Sequence, residues 1–285
     1  MSVVALPSSS DKGAAAAALN GVRARGGVSV AFKHAAGCTR LADLHERGGF
    51  RAKFPRTHGL CEAVLINTGG GLLGGDSVRF DIAVDADAEA QVTTQSAERV
   101  YRSLGPDARV DIALSVGSKG RLHWLPQETV LFNDARLGRT IAADIANDAT
   151  LLLIEATVFG RAAMAETMLA GALRDQWRIS RGGDLIYADT VCIAGDIQNQ
   201  LMRAAIGDGA TAVATLLYIA PDAADRLDAA RAAVAATSAR AAVSAWNGML
   251  AARLLAPSAD ALKADVVRLT AHLSGYALPR VWGVI

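Results

Sequence analysis

Apolar and polar residues alternate with a period of two over much of residues 27–220. Residues 78–85 place an apolar side chain at every second position, with mostly charged residues between them, and residues 108–116 repeat the pattern. Such alternation is typical of a β-strand with one buried face. Further apolar runs of strand length occur at residues 61–66, 129–132, 150–159 and 211–219. The pattern therefore predicts a body built mainly of β-strands.

A weak repeat connects three of these segments. In each segment a turn is followed by a small residue, then any residue, then valine or leucine. The small residues are Ala90, Gly120 and Ala149, which are 30 and 29 residues apart. A strand-turn-strand unit recurring at about this spacing predicts stacked coils, each burying its apolar face on the next. An ordinary β-meander is the alternative interpretation.

The pattern changes after residue 220, where apolar residues recur at helical spacing. It predicts a helix over residues 222–237, with Asp222 as its N-cap, and a second helix over residues 258–273. The segment 239–256 between them is strand-like. The predicted fold class is mainly β, with stacked β-helix-like strands and two C-terminal α-helices.

The predicted domain organisation is a single domain over residues 27–285, with a β body at 27–220 and a helix-strand-helix tail at 221–285. Residues 1–26 are rich in serine, glycine and alanine and are expected to be disordered or loosely attached. Their apolar stretches are short and lack a basic leader, which does not match a secretion signal.

Composition and charge exclude several classes of protein. The 29 basic and 28 acidic residues nearly cancel, so no net field favours nucleic acid or an anionic membrane. Apolar residues make up 52% of the chain, but no run approaches the roughly 20 residues that span a bilayer. The three cysteines are widely spaced and form no C-x-x-C pair. This predicts a reduced, cytoplasmic protein.

Residues 69–74, GGGLLG, satisfy the G-x-G-x-x-G pattern of dinucleotide-binding turns. That turn binds pyrophosphate because its glycines lead into a helix N-terminus. Here the alternating strand 78–85 follows instead, which favours a connection between two strands. Glycine then supplies positive φ or close backbone approach, and we expect this of Gly70, Gly71, Gly74 and Gly75. A nucleotide-dependent enzyme built on this loop is the alternative function.

Residues 67–76, NTGGGLLGGD, closely resemble the N-T-[AS]-G-G-x-x-G-G-D signature of the urease accessory protein D (UreD, also UreH) family. Gly69 and Ala165 depart from the usual family residues, but both exchanges are between small side chains. The resemblance continues, in the family's order, at residues 93–103, 124–132, 135–139, 155–166 and 279–282.

The resemblance implies a maturation factor without its own catalytic site. Proteins of this family are mainly β, with stacked strands and two helices. They bind the accessory protein UreF, which recruits the GTPase UreG, and the assembly delivers nickel to apo-urease. For this chain it implies no tightly bound cofactor and only transient nickel.

Four carboxylates lie in the family motifs, each after or at the end of an apolar strand: Asp76, Glu128, Glu155 and Glu166. We interpret them as a polar passage in which weak carboxylate sites pass a nickel ion onward. Structural salt bridges or caps are the alternative for each one. The five histidines are scattered, and no two of them are spaced at i,i+2 or i,i+4. The sequence therefore predicts no high-affinity nickel site.

Four further motif residues are candidates for partner contacts: Arg99, Tyr101, Arg102 and Arg161. Arginine and tyrosine are frequent anchors of protein interfaces, although pairing inside the fold is the alternative. The apolar stripes of the two C-terminal helices predict an exposed patch that an obligate partner covers. We therefore expect poor solubility of the isolated chain.

Overall fold

The computed structural model describes residues 23–56, 59–103, 105–235 and 240–283. Most of the N-terminal segment that the sequence predicts to be disordered, residues 1–22, lies outside the described residues. The structure is 54% strand and 15% helix, and its strands stack in about four turns of a β-solenoid. The predicted fold class is confirmed, and the stacked coils are favoured over the meander.

The first sheet has seven strands in the described residues, in the order β14-β13-β11-β8-β5-β1-β2. Its five central strands run parallel, and an antiparallel hairpin closes each edge. The strands are β1 (Arg25–Ala35), β2 (Cys38–Arg47), β5 (Ser77–Val84), β8 (Ala108–Val116), β11 (Arg136–Ile145), β13 (Ala170–Arg181) and β14 (Asp184–Asp196).

The second sheet has ten strands in the described residues, and its central path is β16-β17-β15-β12-β9-β6-β4-β3. Strands β4, β6, β9 and β12 are parallel, whereas the outer strands are antiparallel. The strands are β3 (Phe50–Lys53), β4 (Cys61–Asn67), β6 (Glu89–Thr94), β7 (Glu98–Val100), β9 (Arg121–Trp124), β10 (Thr129–Leu131), β12 (Thr150–Phe159), β15 (Ala212–Ile219), β16 (Arg240–Trp246) and β17 (Met249–Ala256).

Each coil of the solenoid contributes one strand to each sheet, and the two sheets enclose the larger apolar core. Phe32, Phe80 and Trp124 lie in this core. A second core lies between the outer face of the second sheet and the C-terminal helices. Alternating strands bury one face in this way, whereas β12 is buried along its whole length because both of its faces are covered.

The predicted repeat is present, but its first copy starts two residues earlier than the sequence alignment placed it. The amide of Thr150 donates to the carbonyl oxygen of Gly120, and the amide of Arg121 donates to that of Ala88. Ala88, Gly120 and Ala149 are therefore equivalent, and Ala90 lies inside its strand. A Cβ on Gly120 would lie 2.8 Å from the Gly117 carbonyl oxygen, which explains the small residue.

The helices are α1 (Ile197–Met202), α2 (Leu227–Ala235) and α3 (Ala259–Ser274). The last two correspond to the predicted C-terminal pair, and Ser258 caps α3 by accepting from the amide of Ala261. The Asp222 cap is wrong: its carboxylate accepts from the Tyr218 hydroxyl and pairs with Arg226 instead. The described chain contains no helix long and apolar enough to cross a membrane.

The strand-like segment 239–256 is a hairpin rather than one strand. Asn247 and Gly248 form its turn, with φ of 49° and 70°, as the two-residue Asn-Gly turn requires. The run of alanines around this dipeptide hid the break in the sequence.

The exposed patch predicted on the C-terminal helices is also wrong in its location. The apolar stripe of α3 is buried on the second sheet.

 Leu262, Leu269 and Leu273 are each at most 2% exposed, because they pack on β12, β15 and β17. An amphipathic stripe predicts a buried face, but not whether that face meets its own chain or a partner.

Candidate functional site

The motif segments stack on one another at one corner of the solenoid, at the carboxyl ends of the parallel strands of the second sheet. Leu72 pairs with Val100, Val100 with Leu131, and Leu131 with Phe159, so each coil adds one rung. All four side chains are buried. We call this surface the motif corner, and it comprises residues 67–76, 98–103, 128–135 and 159–166.

The glycine-rich loop, residues 67–76, lies so close to the next coil that side chains do not fit at two positions. A Cβ on Gly71, whose φ is +153°, would lie 2.5 Å from the Tyr101 ring. A Cβ on Gly74 would lie 2.0 Å from Ser103 Oγ. Both glycines are therefore required by packing between coils.

The same loop leads directly into β5, so its glycines do not open a helix. Gly70 and Gly75 turn the chain at positive φ, of +78° and +90°. The loop therefore lacks the aligned N–H groups and dipole with which a helix N-terminus binds pyrophosphate. Nothing in its geometry favours the nucleotide-dependent alternative.

Asp76 fixes the end of the glycine-rich loop. Its side chain is 4% exposed and accepts from the amides of Leu73 and Ala24, both at 2.8 Å. Its carbonyl oxygen accepts from the amide of Arg109 at 2.8 Å. These bonds join the loop to the strands on either side of β5, so this carboxylate stabilises the conformation of the loop.

Tyr101 and Arg161 pack around Phe132 at the motif corner. The rings of Tyr101 and Phe132 are T-shaped at 4.9 Å, and the Tyr101 hydroxyl donates to the Gly70 carbonyl oxygen at 3.1 Å. The Arg161 guanidinium lies 3.9 Å from the centroid of the Phe132 ring and forms an ion pair with Glu166. Two of the predicted partner-contact residues thus have partners within the fold.

Arg99 and Arg102 are the other two predicted contact residues, and both are exposed at the motif corner. The backbone of Arg102 bridges to Ala135 of the following coil, which fixes where its side chain leaves the surface. The corner therefore presents two solvated positive charges beside the glycine-rich loop.

Glu155 belongs to a buried ion-pair network between the two sheets. Arg139 of β11 donates from Nε and Nη2 to the two oxygens of Asp175, at 3.0 and 2.5 Å, and its Nη1 pairs with Glu155 of β12. Each carboxylate also accepts from an indole: Trp124 donates to Glu155 at 2.9 Å, and Trp177 to Asp175 at 3.1 Å. The network therefore links the sheets through directed hydrogen bonds.

Burial dominates the electrostatics of this network. Desolvation raises the pKa of Glu155 to about 7, because Arg139 offsets only part of it and the charge of Asp175 adds repulsion. Desolvation works against the charge on Arg139 as well, but the two carboxylates outweigh it and its pKa is raised. The guanidinium therefore keeps its charge and is the group that makes the buried carboxylates tolerable.

Two cavities adjoin inside the solenoid between the sheets. The first, of about 60 Å³, is lined by Gly70 of the glycine-rich loop and by Glu98. The second, of about 50 Å³, is lined by Glu98, Arg139 and Glu155. Since Glu98 lines both, it stands where they meet. Each volume exceeds that needed for one water molecule.

A third cavity, of about 20 Å³, lies against α3 on the outer face of the second sheet. Glu128 and Lys263 line it, and it shares Pro126 and Gln127 with the second cavity. We call the three together the cavity row. Its three members lie in turn at the glycine-rich loop, at the buried ion-pair network and under α3, and neighbouring members share lining residues.

The four predicted passage carboxylates are not gathered at one point. Glu128 and Glu155 line the cavity row, whereas Asp76 and Glu166 are bonded within the motif corner. Within the described ranges, no three His, Cys, Asp or Glu side chains converge to hold a metal ion. Any passage here consists of separate carboxylate stages rather than a metal centre.

Glu98 was missed by the sequence analysis, although it is the one carboxylate in the motif segment 93–103. The pKa of its carboxyl is raised, mainly by burial and in small part by the charge of nearby Asp76. Hydrogen bonds from Asn67 and from the Arg99 amide offset part of this rise. The criterion that selected the other four, an acid inside a family motif, would have found it. Asp175 lies outside the motifs and had no such signal.

Comparison with known proteins matches the family model of the UreD urease accessory protein over residues 24–283. The chain is 45% identical to the urease accessory protein UreD of Azorhizobium caulinodans over 263 residues, covering 92% of this chain and 97% of that protein. It is 46% identical to UreD of a Methylobacterium species, covering 87% and 90% of the two chains. For a Rhodopseudomonas palustris UreD the identity is also 46%, with 91% and 93% covered.

The chain belongs to the UreD family. The resemblance carried by the motif segments is thereby confirmed, and the match extends over nearly all of the described residues. In this UreD protein the motif segments owe their proximity to the solenoid, since each lies one coil from the next.

Exposed apolar side chains lie on segments that follow or adjoin the motif corner of this UreD protein. Met164 is 69%, Leu169 53%, Met202 62% and Ile206 42% exposed. They lie in three segments tied together by hydrogen bonds, since the Ile197 amide donates to the Leu169 carbonyl oxygen and the Phe159 amide to that of Thr211. We call these four side chains the apolar patch. Large exposed apolar side chains on neighbouring segments are typical of interaction sites.

His123 is the most unusual of the five histidines. It is fully buried, both of its ring nitrogens lack hydrogen-bond partners, and Tyr276 packs edge-on against it at 5.9 Å. Gln91 and Glu62 continue the row on the two neighbouring strands, and each has one unpartnered oxygen. Burial, together with the smaller effect of the charge on Arg121, lowers the pKa of His123 to about 3.

Replacing His123 by phenylalanine is expected to make the protein more resistant to acid. The unfolded imidazole takes up a proton below its ordinary pKa of 6.5, whereas the folded one resists protonation down to about 3. Stability is therefore lost as the pH falls through this window, by about 2 kcal/mol between pH 6.5 and 5. The melting temperature of the full chain, carried with a solubility tag, should fall less from pH 7 to 5 in His123→Phe than in the wild type. Exposed His45→Ala is the control, and parallel curves for all three would contradict the assignment.

Proposed function

We propose that this UreD protein is a non-catalytic maturation factor, which passes nickel ions to apo-urease in the cytoplasm. Its relatives are named urease accessory proteins, and that name supports a role in urease maturation. The observation that carries the nickel proposal is the cavity row, lined in turn by Glu98, Glu155 and Glu128. Nickel is cargo here, held at no point long enough to be a cofactor.

Separate carboxylates suit the transfer of an ion better than a metal centre does. Nickel accepts carboxylate, imidazole or thiolate ligands, and its affinity for a site grows with their number and charge. A single buried carboxylate offsets part of the desolvation cost of a divalent ion without supplying a full coordination shell. An ion in the cavity row would therefore move from one stage to the next.

The proposed partners are UreF, the GTPase UreG acting through UreF, and apo-urease. The apolar patch and the exposed charges of Arg99 and Arg102 support a docking surface for UreF at the motif corner, since arginine and exposed apolar groups together are typical of interfaces. This location replaces the C-terminal helices, whose apolar faces are covered by the second sheet.

Co-expression with UreF tests the partner proposal. We expect the full chain to give little soluble protein alone, because the apolar patch is exposed, and UreF to restore it as a co-purifying complex. Met164→Asp combined with Met202→Asp should reduce the recovered complex by about tenfold or more, because charges would be buried at the interface. Yields are measured by affinity capture followed by size exclusion.

Leu185→Asp is the matched control, since Leu185 is 48% exposed but lies on β14, outside the patch. It should leave the recovery of the complex unchanged. A stable, monodisperse chain that ignores UreF would contradict the proposal. Equal loss of complex in both variants would place the contact elsewhere.

A further inference from the structure

Arg139 stands where a cation would stand in the cavity row. Its register partner on β13 is Asp175, and Glu155 faces both of them from the other sheet. The guanidinium binds Asp175 with two hydrogen bonds, reaches Glu155, and lies 3.4 Å from Thr129 Oγ1. The Arg139 side chain thus binds the same oxygen atoms that could act as ligands of a passing metal ion.

The two carboxylates do not depend on Arg139 alone for their orientation. Trp124 donates to Glu155 and Trp177 donates to Asp175, and both indoles are buried. Without the guanidinium, these donors would still hold both acids in place, with Glu155 at the second cavity. They would then be two buried negative charges with no fixed cation between them.

We infer that Arg139 is the resident counter-cation of the cavity row, which competes with a divalent ion for Glu155 and Asp175 and so prevents the ion from being trapped. Two carboxylates and one guanidinium leave a net charge of about −1, which attracts a cation but holds it weakly. The biological role of this competition rests on the proposed nickel passage, whereas the effect on metal affinity does not.

The experiment compares the affinity of the full chain, carried with a solubility tag, for Ni²⁺ alone. Arg139→Met should bind Ni²⁺ about tenfold more tightly than the wild type, because two buried carboxylates lose their cation. Its melting temperature should also rise on adding Ni²⁺, whereas that of the wild type should not. Arg139→Lys keeps the charge and should behave as the wild type does.

Arg136→Met is the matched control. Arg136 lies on the same strand but forms a half-exposed pair with Asp107, so its removal should leave Ni²⁺ affinity unchanged. Where Arg139→Met does not fold without metal, refolding in Ni²⁺ should recover it, and Arg139→Gln supplies a second neutral variant. A folded Arg139→Met or Arg139→Gln chain with wild-type Ni²⁺ affinity overturns the inference. So does an Arg139→Met chain that Ni²⁺ does not rescue.

The nickel content of urease matured in cells separates this inference from the proposed function. If both hold, Arg139→Met retains the ion and lowers the nickel content of urease. Tighter Ni²⁺ binding with unchanged urease nickel supports the counter-cation and refutes the passage. Unchanged Ni²⁺ affinity in the folded variant refutes the counter-cation, whatever the urease contains.

Discussion

Gly71→Val is expected to abolish assembly of the motif corner and to destabilise the protein by about 3 kcal/mol or more. The new side chain would need a φ of +153°, and its Cβ would lie 2.5 Å from the Tyr101 ring and 2.8 Å from the Arg99 carbonyl oxygen. That oxygen accepts a hydrogen bond from the amide of Leu72. The neighbouring coil therefore cannot move away without breaking this hydrogen bond between coils. A loss of this size is a large part of the stability of an ordinary domain.

Substitutions at two other glycines serve as comparisons, because they separate backbone strain from steric overlap. Gly70 has φ of +78° but open space around its Cβ position, so Gly70→Ala should cost only the backbone strain, about 1–2 kcal/mol. Gly105→Ala meets neither obstacle and should be neutral. The checks are the melting temperature and the yield of complex with UreF. A Gly71→Val chain that melts, assembles and matures urease normally would refute the packing argument.

The strands were predictable because the alternation of apolar and polar residues follows directly from the burial of one strand face. The segment 108–116 coincides with β8, and 150–159 with β12. The alanine-rich stretches were harder, since alanine fits helix, strand and turn with little contrast. In them the turn at Asn247 gave no clear signal, and the repeat pattern placed its first equivalent position at Ala90 instead of Ala88.

The candidate site was less predictable, because its geometry depends on which coils stack. Glu155, Arg139 and Asp175 meet only through the register of β11 with β13 and the facing of the two sheets. Arg139 closes the motif segment 135–139, yet nothing in that segment distinguishes a buried arginine from a surface one. The cavity row is likewise a property of packing between sheets, and no local pattern encodes it.

The Glu155→Gln change is expected to lower the melting temperature, whereas Glu98→Gln and Glu128→Gln are expected to leave it nearly unchanged. Glu155 is 5% exposed and pairs with Arg139, so its removal leaves that guanidinium with one carboxylate in the interior. Breaking a buried pair in this way typically costs about 3–5 kcal/mol. Glu98 and Glu128 form no salt bridge within the described residues, so neutralising them leaves no cation unpaired.

Nickel delivery should respond in a different order. Each of the three changes removes one stage of the cavity row, and a divalent ion then meets a desolvation barrier higher by a few kcal/mol, on the order of the cost of an uncompensated buried charge. Glu98→Gln and Glu128→Gln should therefore give urease with little nickel while melting and binding UreF normally. Asp144→Asn, on the exposed face of β11, is the matched control for losing one carboxylate. Because Asp76 and Glu166 lie outside the cavity row, Asp76→Asn should impair folding of the glycine-rich loop, and Glu166→Gln should leave urease nickel intact. Full nickel in urease matured by both Glu98→Gln and Glu128→Gln would remove the support for a passage, and these carboxylates would then serve the fold alone.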